Sequence, residues 1–425
     1  MASTEAIPAK RWGRIIPPAI LVYIFGFMDR TNIGFAMAGG MSDALQMTAT
    51  LSGLAAGIFF IGYMVLQVPG GHIAETGNAK KFIAVSILAW SLICTSLGFV
   101  QTATQLLVLR FLVGVAEGGV WPAILVIISH WFPSSERGRA NSYFIMNVAI
   151  ASIITGPISG WLVTTFGWRS VFIAEGAVSF LLIFVWWPLI SNRPSEAKWI
   201  SKEEREYLET TLAAEQKELS SEDDAPTSLS TILSSVNMWK LILIYFFYQV
   251  GIYGFAMWLP TILKSLTNSG MTSIGFLSTI PYFACMAGLY IFGHLSDRSG
   301  NRKKYVALPL LGFALCFLAS AFLKDYTWVS FAFLCGCGLF LQCASGIFWT
   351  IPTMLFPAKV AGDSLGIINA LGNLGGFVGP FIVGWLTTQF MSIYAGIYFL
   401  AAMLACGFFL TLSLPKKTEG KYFLS

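Results

Sequence analysis

The sequence predicts an all-α integral membrane protein, with twelve transmembrane helices arranged as two pseudo-repeated six-helix bundles. Three observations carry this. The 425 residues are 56% hydrophobic and only 11% charged, with a mean hydropathy of +0.71, whereas a soluble domain carries about 25% charged residues. Apolar runs recur at the roughly 20-residue length a helix needs to cross the hydrocarbon core. And the chain repeats itself. Gly71-His72-Ile73-Ala74-Glu75-Thr76-Gly77-Asn78-Ala79-Lys80-Lys81 is echoed by Gly293-His294-Leu295-Ser296-Asp297-Arg298-Ser299-Gly300-Asn301-Arg302-Lys303. Trp131-Phe132-Pro133, Gly156-Pro157 and Gly160-Trp161-Leu162 are echoed at nearly the same offset by Leu355-Phe356-Pro357, Gly379-Pro380 and Gly384-Trp385-Leu386.

Taken in order, spans are expected near 15–38, 50–71, 82–100, 106–129, 140–163 and 169–191. After a polar stretch they resume near 239–263, 272–294, 304–323, 327–350, 364–388 and 391–414. The first run follows Lys10, Arg11 and Arg14 and has no small-residue cleavage signal. It exceeds the roughly 7–15 apolar residues of a signal-peptide core, so it reads as a retained span. Residues 1–191 form the first bundle, 192–238 a cytoplasmic linker, and 239–425 the second bundle with a short tail. Within the linker, Ser201-Lys202-Glu203-Glu204 has the spacing of a capping box, which starts a short amphipathic helix. The Ser, Asp and Pro of 219–230 read as a flexible tether.

Lysines and arginines set the sidedness. With both termini cytoplasmic, only Arg169, Lys264 and Lys324 fall on the outer side, and Arg30 and Arg110 lie inside spans. The rest of the 26 lie inside, as the positive-inside rule requires. The net charge of +5 is thus a topology signal, and no nucleic-acid partner is expected. The seven cysteines lie in apolar runs with no CxxC pair, and the three histidines are scattered. Neither a disulfide framework nor a metal site is expected. Without an HExxH, Walker-type or clustered His/Asp constellation, an enzyme is not expected either.

Ionisable groups inside spans cost at least ~2.5–3.5 kcal/mol each and mark ion or substrate paths. Four stand out: Asp29 and Arg30 in the first span, Arg110 and Glu117 in the fourth. The latter two are two helical turns apart and share a face, with Gly114 and Gly118 on or beside it to admit another helix closely. Ionised, the four sum to zero, so protonating one carboxyl leaves a guanidinium free for an anion. Proton and anion binding are then coupled, reciprocally. Glu175, nearer the outer end of the sixth span, reads as structural. The second half has no clear mid-membrane charge. It offers Tyr245, Tyr248, Gln249, Tyr253, Gln342, Ser345, Trp349, Thr350, Asn369 and Asn373 for hydrogen bonds and stacking against a small polar ligand, with Tyr245 read as interhelical packing. Two homologous halves around a midplane site are a common build of secondary transporters.

The loop copies resemble the signature loop of the major facilitator superfamily, Gly-x-x-x-Asp-Arg-x-Gly-x-Arg-Arg/Lys. The second copy matches at Gly293, Asp297, Arg298, Gly300, Arg302 and Lys303. In the first, which supplies Gly71, Glu75 and Lys80, Glu75 stands for Asp, Thr76 for Arg and Asn78 for Gly. The resemblance implies that these loops gate the cytoplasmic side. Within that superfamily, Phe27-Met28-Asp29-Arg30-Thr31-Asn32-Ile33-Gly34, Leu66-Gln67-Val68-Pro69-Gly70-Gly71, Ala116-Glu117-Gly118 and Ala197-Lys198-Trp199-Ile200 resemble the anion:cation symporter family, organic-acid permeases of the cell (inner) membrane.

That likeness implies proton-coupling carboxylates at Asp29 and Glu117. It places substrate contacts at Arg30, Asn32, Tyr63, Arg110, Asn147, Tyr248, Ser345, Trp349, Asn369 and Asn373. It implies import of a small organic anion, a sugar acid or aromatic acid, by proton symport with alternating access. A proton-coupled exporter of the same fold is the alternative. No cofactor beyond the coupling proton is expected, with membrane lipid as surroundings and a functional monomer as the unit.

Overall fold

The computed structural model describes residues 9–221, 233–356 and 358–415. Among them every regular element is helical. The long helices are α1 Lys10–Thr31, α2 Ala49–Thr76, α3 Ala79–Leu97, α4 Ala103–Trp131, α5 Ser135–Phe166 and α6 Arg169–Leu189. A linker helix α7 Lys202–Ser221 follows, then α8 Val236–Thr267, α9 Met271–Ser299, α10 Arg302–Phe322, α11 Thr327–Pro352, α12 Ser364–Phe390 and α13 Ile393–Leu412. Eleven of these are long and apolar enough to cross a membrane, so the protein is multi-pass. The helix α1 is not among them, because Lys10, Arg11, Arg14, Asp29 and Arg30 dilute its apolar content.

Five spans expected as single helices are broken. The helix α4 breaks at Gly119, α5 at Met146, α11 at Gln342 and Trp349, and α12 at Asn373. The first span breaks at Asn32, resumes over Ile33–Ala36 and ends in a π-helical turn, Met37–Met41, where Gly40 takes φ 100°. A positive φ of that kind suits glycine, which has no Cβ to clash.

The halves pack through small residues. Gly114 and Gly118 of α4 lie directly on the backbone of Phe59 and Tyr63 in α2, as their spacing predicts. Between the halves, Gly156 and Gly160 of α5 meet Gly275 and Met271 of α9, and Gly53 and Gly57 of α2 meet Pro380 and Phe377 of α12. Thr50 donates to Thr388 Oγ1 through its N–H (3.0 Å) and hydroxyl (2.9 Å), and Lys264 Nζ donates to the carbonyl of Ala38 at 2.6 Å. These approaches all sit towards the end of the molecule remote from the Gly71 and Gly293 loops. Nearer those loops, aromatic groups pack within their own half: Tyr23 with Trp121 and Phe144, and Tyr245 with Phe348 and Trp349. The closest backbone approaches between the halves thus lie towards the far end.

The two loop copies follow one capping scheme, in a register that differs by one residue from the sequence reading. Gly77 ends α2 as Gly300 (φ 68°) ends α9. Asn78 then caps α3, its side chain accepting from Lys81 N at 2.8 Å, as Asn301 caps α10 by accepting from Lys304 N at 2.9 Å. Asn78 is therefore the counterpart of Asn301 and Gly77 that of Gly300; the first loop is one residue shorter. Cap chemistry aligns them where letter matching does not.

The linker helix is docked on the first half. Ser201 caps it as predicted, accepting from Glu204 N at 3.2 Å. The Glu204 carboxylate, fully buried, does not close the capping box: it accepts from Arg11 Nη1 at 2.8 Å, and Arg11 also pairs with Glu136 at 2.8 Å. Trp199 stacks on Trp131 with ring centroids 5.0 Å apart.

Candidate functional site

The site begins at the break in the first helix. The last turn of a helix leaves carbonyls without intrahelical donors, and a cation is favoured there. Arg110 answers that need. Its Nη1 donates to the carbonyl of Asp29 at 2.9 Å, its Nη2 to that of Arg30 at 3.2 Å, and its Nε to Ala55 in α2 at 3.3 Å. The guanidinium is fully buried and stacks over Phe59 at 5.3 Å. Every one of its nitrogens is committed to backbone. Arg110 and Glu117 do share a buried face of α4, but Arg110 joins helices instead of pairing with a carboxylate.

Arg30 points the other way, into the seam between the halves. It lies in an aromatic cage, 4.8 Å from the Tyr63 ring centroid and 5.1 Å from that of Phe59, where cation–π attraction holds a desolvated guanidinium. Its Nη1 donates to Tyr253 Oη of α8 at 3.1 Å, crossing from one half to the other, and its Nη2 to Tyr23 Oη at 3.4 Å. Glu117 is its ion-pair partner, Oε2 at 3.4 Å. That is a long bond for a buried charge pair, where 2.7–2.9 Å is usual. Arg30 Nε and Glu117 Oε1 are buried without a partner.

Asp29 faces away from Arg30, into the first bundle. Cys94 Sγ of α3 donates to its Oδ1 and Ser179 Oγ of α6 to its Oδ2, both at 3.1 Å. Asn32, one turn on, donates through Nδ2 to Glu175 Oε2 at 2.9 Å, and Ser159 donates to Glu175 Oε1 at 2.8 Å. The sequence reading took Glu175 as structural and gave Cys94 and Ser179 no role; the fold gathers all three around Asp29 and Asn32, with Glu175 and Ser179 one turn apart on α6.

The remaining expected residues divide. Asn147 is buried at the α5 break, its amide donating to the Phe144 carbonyl and its Oδ1 unpartnered. In the second half, Gln249 Nε2 donates to Asn373 Oδ1 at 2.8 Å, Asn373 Nδ2 to Asn369 Oδ1 at 3.1 Å, and Tyr245 Oη to the same Oδ1 at 3.5 Å. Tyr245 stacks on Phe348 and stands edge-on to Trp349, centroids 5.4 and 4.8 Å away. Asn369, Asn373 and Trp349 are thus brought together around one ladder. Tyr248 is not: its hydroxyl is engaged by the Leu341 carbonyl at 2.7 Å, beside the Gln342 break. Ser345 lies half-buried on the α11 segment between the two breaks. At the loops, Arg302 Nη1 donates to Asp297 Oδ1 at 2.6 Å, and Lys80 lies over the Trp187 ring at 4.7 Å while its N–H donates to Asn192. Gly71 packs on Pro122; Glu75 and Arg298 are exposed.

One surface depression, about 410 Å³, is lined by Ser96, Phe99, Val100, Thr104, Gln105, Val108 and Leu109. It lies at the far end of α3 and α4, away from all these groups, and is apolar. Among the described residues no group of three His, Cys, Asp or Glu side chains is placed to hold a metal ion.

Comparison with known proteins agrees with this architecture. The family model described as Major Facilitator Superfamily matches residues 19–380 and 266–422. A protein of Agrobacterium vitis named "Putative tartrate transporter" is 33% identical over 416 residues, covering 95% of this chain and 90% of that protein. A quinolone resistance transporter of Acinetobacter baumannii is 32% identical over 424 residues, covering 96% of this chain and 94% of its own length. Among solved structures, a bacterial homolog of the human lysosomal transporter Spinster, inward-facing and occupied, superposes with a TM-score of 0.76 at 16% identity. It covers 97% of this chain and 100% of its own.

Proposed function

Because this chain belongs to the Major Facilitator Superfamily, we propose that it is a secondary active transporter importing a small organic carboxylate together with protons, by alternating access. One observation carries the reading: the loose Arg30–Glu117 pair, with a donor nitrogen and an acceptor oxygen left unfilled, in a cage between the halves. A substrate carboxylate competes with Glu117 for the Arg30 guanidinium, which offers planar, two-pronged recognition. Protonating Glu117 releases Arg30 to the substrate. Binding of the anion in turn favours the protonated form, so each ligand strengthens the other. Tyr253 ties Arg30 to the second half, so exchanging that bond for a substrate contact links occupancy to the seam.

The same geometry narrows the substrate. Of the two interior guanidiniums only Arg30 has an unfilled donor; Arg110 is held by three carbonyls. Among the described residues, a single mid-span guanidinium with an unfilled donor favours a monocarboxylate over a dicarboxylate. Across the seam, the Gln249–Asn373–Asn369 ladder supplies hydrogen bonds and the Tyr245, Phe348 and Trp349 rings an aromatic cluster, a combination that suits a hydroxylated or aromatic acid. Twelve crossings, with termini, linker and both loops on the cytoplasmic side of the cell (inner) membrane, fit the charge distribution. In that orientation the tightly packed far end is external. The unit is read as a monomer without cofactor.

The test is transport in proteoliposomes, with a panel of carboxylic acids first screened by thermal shift at two pH values, since ligand stabilises by mass action. An inwardly directed proton gradient is expected to drive accumulation, and a protonophore to abolish it. Glu117→Gln is expected to retain exchange of substrate while losing gradient-driven accumulation. The rival reading, a proton-coupled exporter, is favoured by the likeness to the quinolone resistance transporter. Stabilisation by lipophilic drugs and by no carboxylate, with flux driven by the opposite gradient, would establish it instead.

A further inference from the structure

Behind the substrate seam, the first bundle buries a second charged system that the transport reading leaves unused. Asp29 and Glu175 are cross-braced between α1 and α6. Ser179, one turn after Glu175, bonds Asp29; Asn32, one turn after Asp29, bonds Glu175. Each carboxyl has both oxygens on neutral donors: Cys94 and Ser179 for Asp29, Asn32 and Ser159 for Glu175. No cation bonds either side chain among the described residues. The elements packed on α6 are α3, α1 and α5. The titratable groups they turn to this pocket are Cys94 and Asp29, and α5 contributes only the Ser159 hydroxyl. The nearest cation is Arg110, which touches the Asp29 carbonyl and not its carboxylate.

Charge balance then makes a demand. Asp29, Arg30, Arg110, Glu117 and Glu175 are each at most 4% exposed. Three carboxyls against two guanidiniums leave one negative charge over. An uncompensated buried charge is neutralised by a proton before it is tolerated. A second observation points to where that proton sits. Asn32 is fully buried with its Oδ1 unpartnered. As placed, its Nδ2 donates to Glu175 Oε2, the arrangement that suits an ionised carboxylate. Turned over, the same amide presents Oδ1 as acceptor to a protonated Glu175, since an amide carries donor and acceptor on one planar group. Asn32 can therefore satisfy either state of the carboxyl without moving backbone.

We propose that Glu175 is a third proton-binding carboxylate, and that Asp29 and Glu175 together hold one proton in the absence of substrate. The proton passes between two carboxyl groups of one polar pocket, and nothing else is consumed. Glu117 then answers to the substrate through Arg30, while the Asp29–Glu175 pair keeps the bundle neutral behind it. Asp29 acts on the site as a member of this pair and not by contact with the anion. The proposal rests on the proton-linked reading above only for its transport consequence.

Infrared spectroscopy of the purified, substrate-free protein at neutral pH tests it without any transport assay. The C=O stretch of a protonated carboxyl is expected in the wild type and is lost in Glu175→Gln, whose amide keeps bonds to Asn32 and Ser159. A band of wild-type intensity in a folded Glu175→Gln protein would overturn the proposal. Should that variant not fold, Ser159→Ala removes one donor and leaves every carboxyl in place. It is expected to shift the band and to move the half-maximal proton concentration for uptake roughly tenfold, the effect of one hydrogen bond to a charged group. An unmoved band and an unmoved profile count against Glu175. Wild-type uptake that ignores protons for every acid would refute the transport reading, while the infrared result would still decide the proton's location.

Discussion

Replacing Arg110 with lysine separates the two buried arginines by role. The guanidinium joins α4 to α1 and α2 through bonds of 2.9, 3.2 and 3.3 Å to three carbonyls. An ammonium at the end of a flexible stem can keep about one of them, leaving two carbonyls without donors where no water reaches. Hydrogen bonds to charged groups contribute about 1.5–3 kcal/mol each in soluble proteins. Polar interhelical bonds within membranes average nearer ~0.6 and reach ~1.7, because the membrane-inserted unfolded state also finds partners. The lower scale governs here, so two lost bonds amount to about 1–3 kcal/mol. Arg110→Lys should therefore melt several degrees below wild type in mild detergent, yet once folded bind substrate within about threefold of the wild-type Kd, less than 1 kcal/mol. Arg30→Lys should do the reverse: near-normal melting, and affinity reduced at least ~10-fold through loss of planar recognition. Thermal melts with and without the best-stabilising acid read both quantities. If Arg110→Lys kept its stability but lost its ligand, its donors would face the substrate and the backbone clamp would be wrong.

Four further outcomes are expected. Asp29→Asn should lose proton-driven accumulation by more than ~10-fold while counterflow exchange survives; loss of both would assign Asp29 to binding or folding. Tyr253→Phe removes the bond from Arg30 across the seam, worth about 0.5–1.5 kcal/mol, and should raise labelling of a cysteine at Thr272 by about two- to tenfold as the far end opens more often; unchanged labelling would deny Tyr253 a part in closure. Gly275→Val drives a side chain into the Gly156 backbone, so transport should fall steeply while the variant still inserts and folds, and wild-type flux would contradict the seal. Glu204→Gln takes one of two carboxylates from Arg11 and should speed tryptic cleavage at Lys202 and Arg205 about tenfold, the equivalent of 1.4 kcal/mol; equal rates would mean that other contacts hold α7 down.

What was legible in the sequence was whatever contrasts with its surroundings. Charges within apolar runs marked Asp29, Arg30, Arg110 and Glu117, and the small-residue spacing of Gly114 and Gly118 marked the α2–α4 contact. Ser201 announced the start of α7. Pairing was harder to read. The seven-residue separation of Arg110 and Glu117 fixes a shared face but not which partner stands opposite, and the partner of Arg110 is a helix break at Asn32 that neither proline nor glycine signals. Glu175 looked like an outlying carboxyl because height along a helix says nothing of a neighbour's height. Cys94 reads as one more small apolar residue until Asp29 is placed beside it. The docked linker helix was hidden in the same way: its anchor, Arg11, lies far away along the chain, and only folding brings Glu204 to it.

A seam where the carbonyls of one half rest on the bare α-carbons of the other has few side chains to disengage. Parting Gly156 from Gly275, or Gly53 from Pro380, forfeits dispersion contacts, each tiny alone, and leaves rotamers as they were. In the proposed alternating-access cycle, such joints keep the two end states close in free energy, so that a ligand preferring one by a few kcal/mol reverses their populations. Glycine at these joints makes the machine evenly poised, and hands the decision to its cargo.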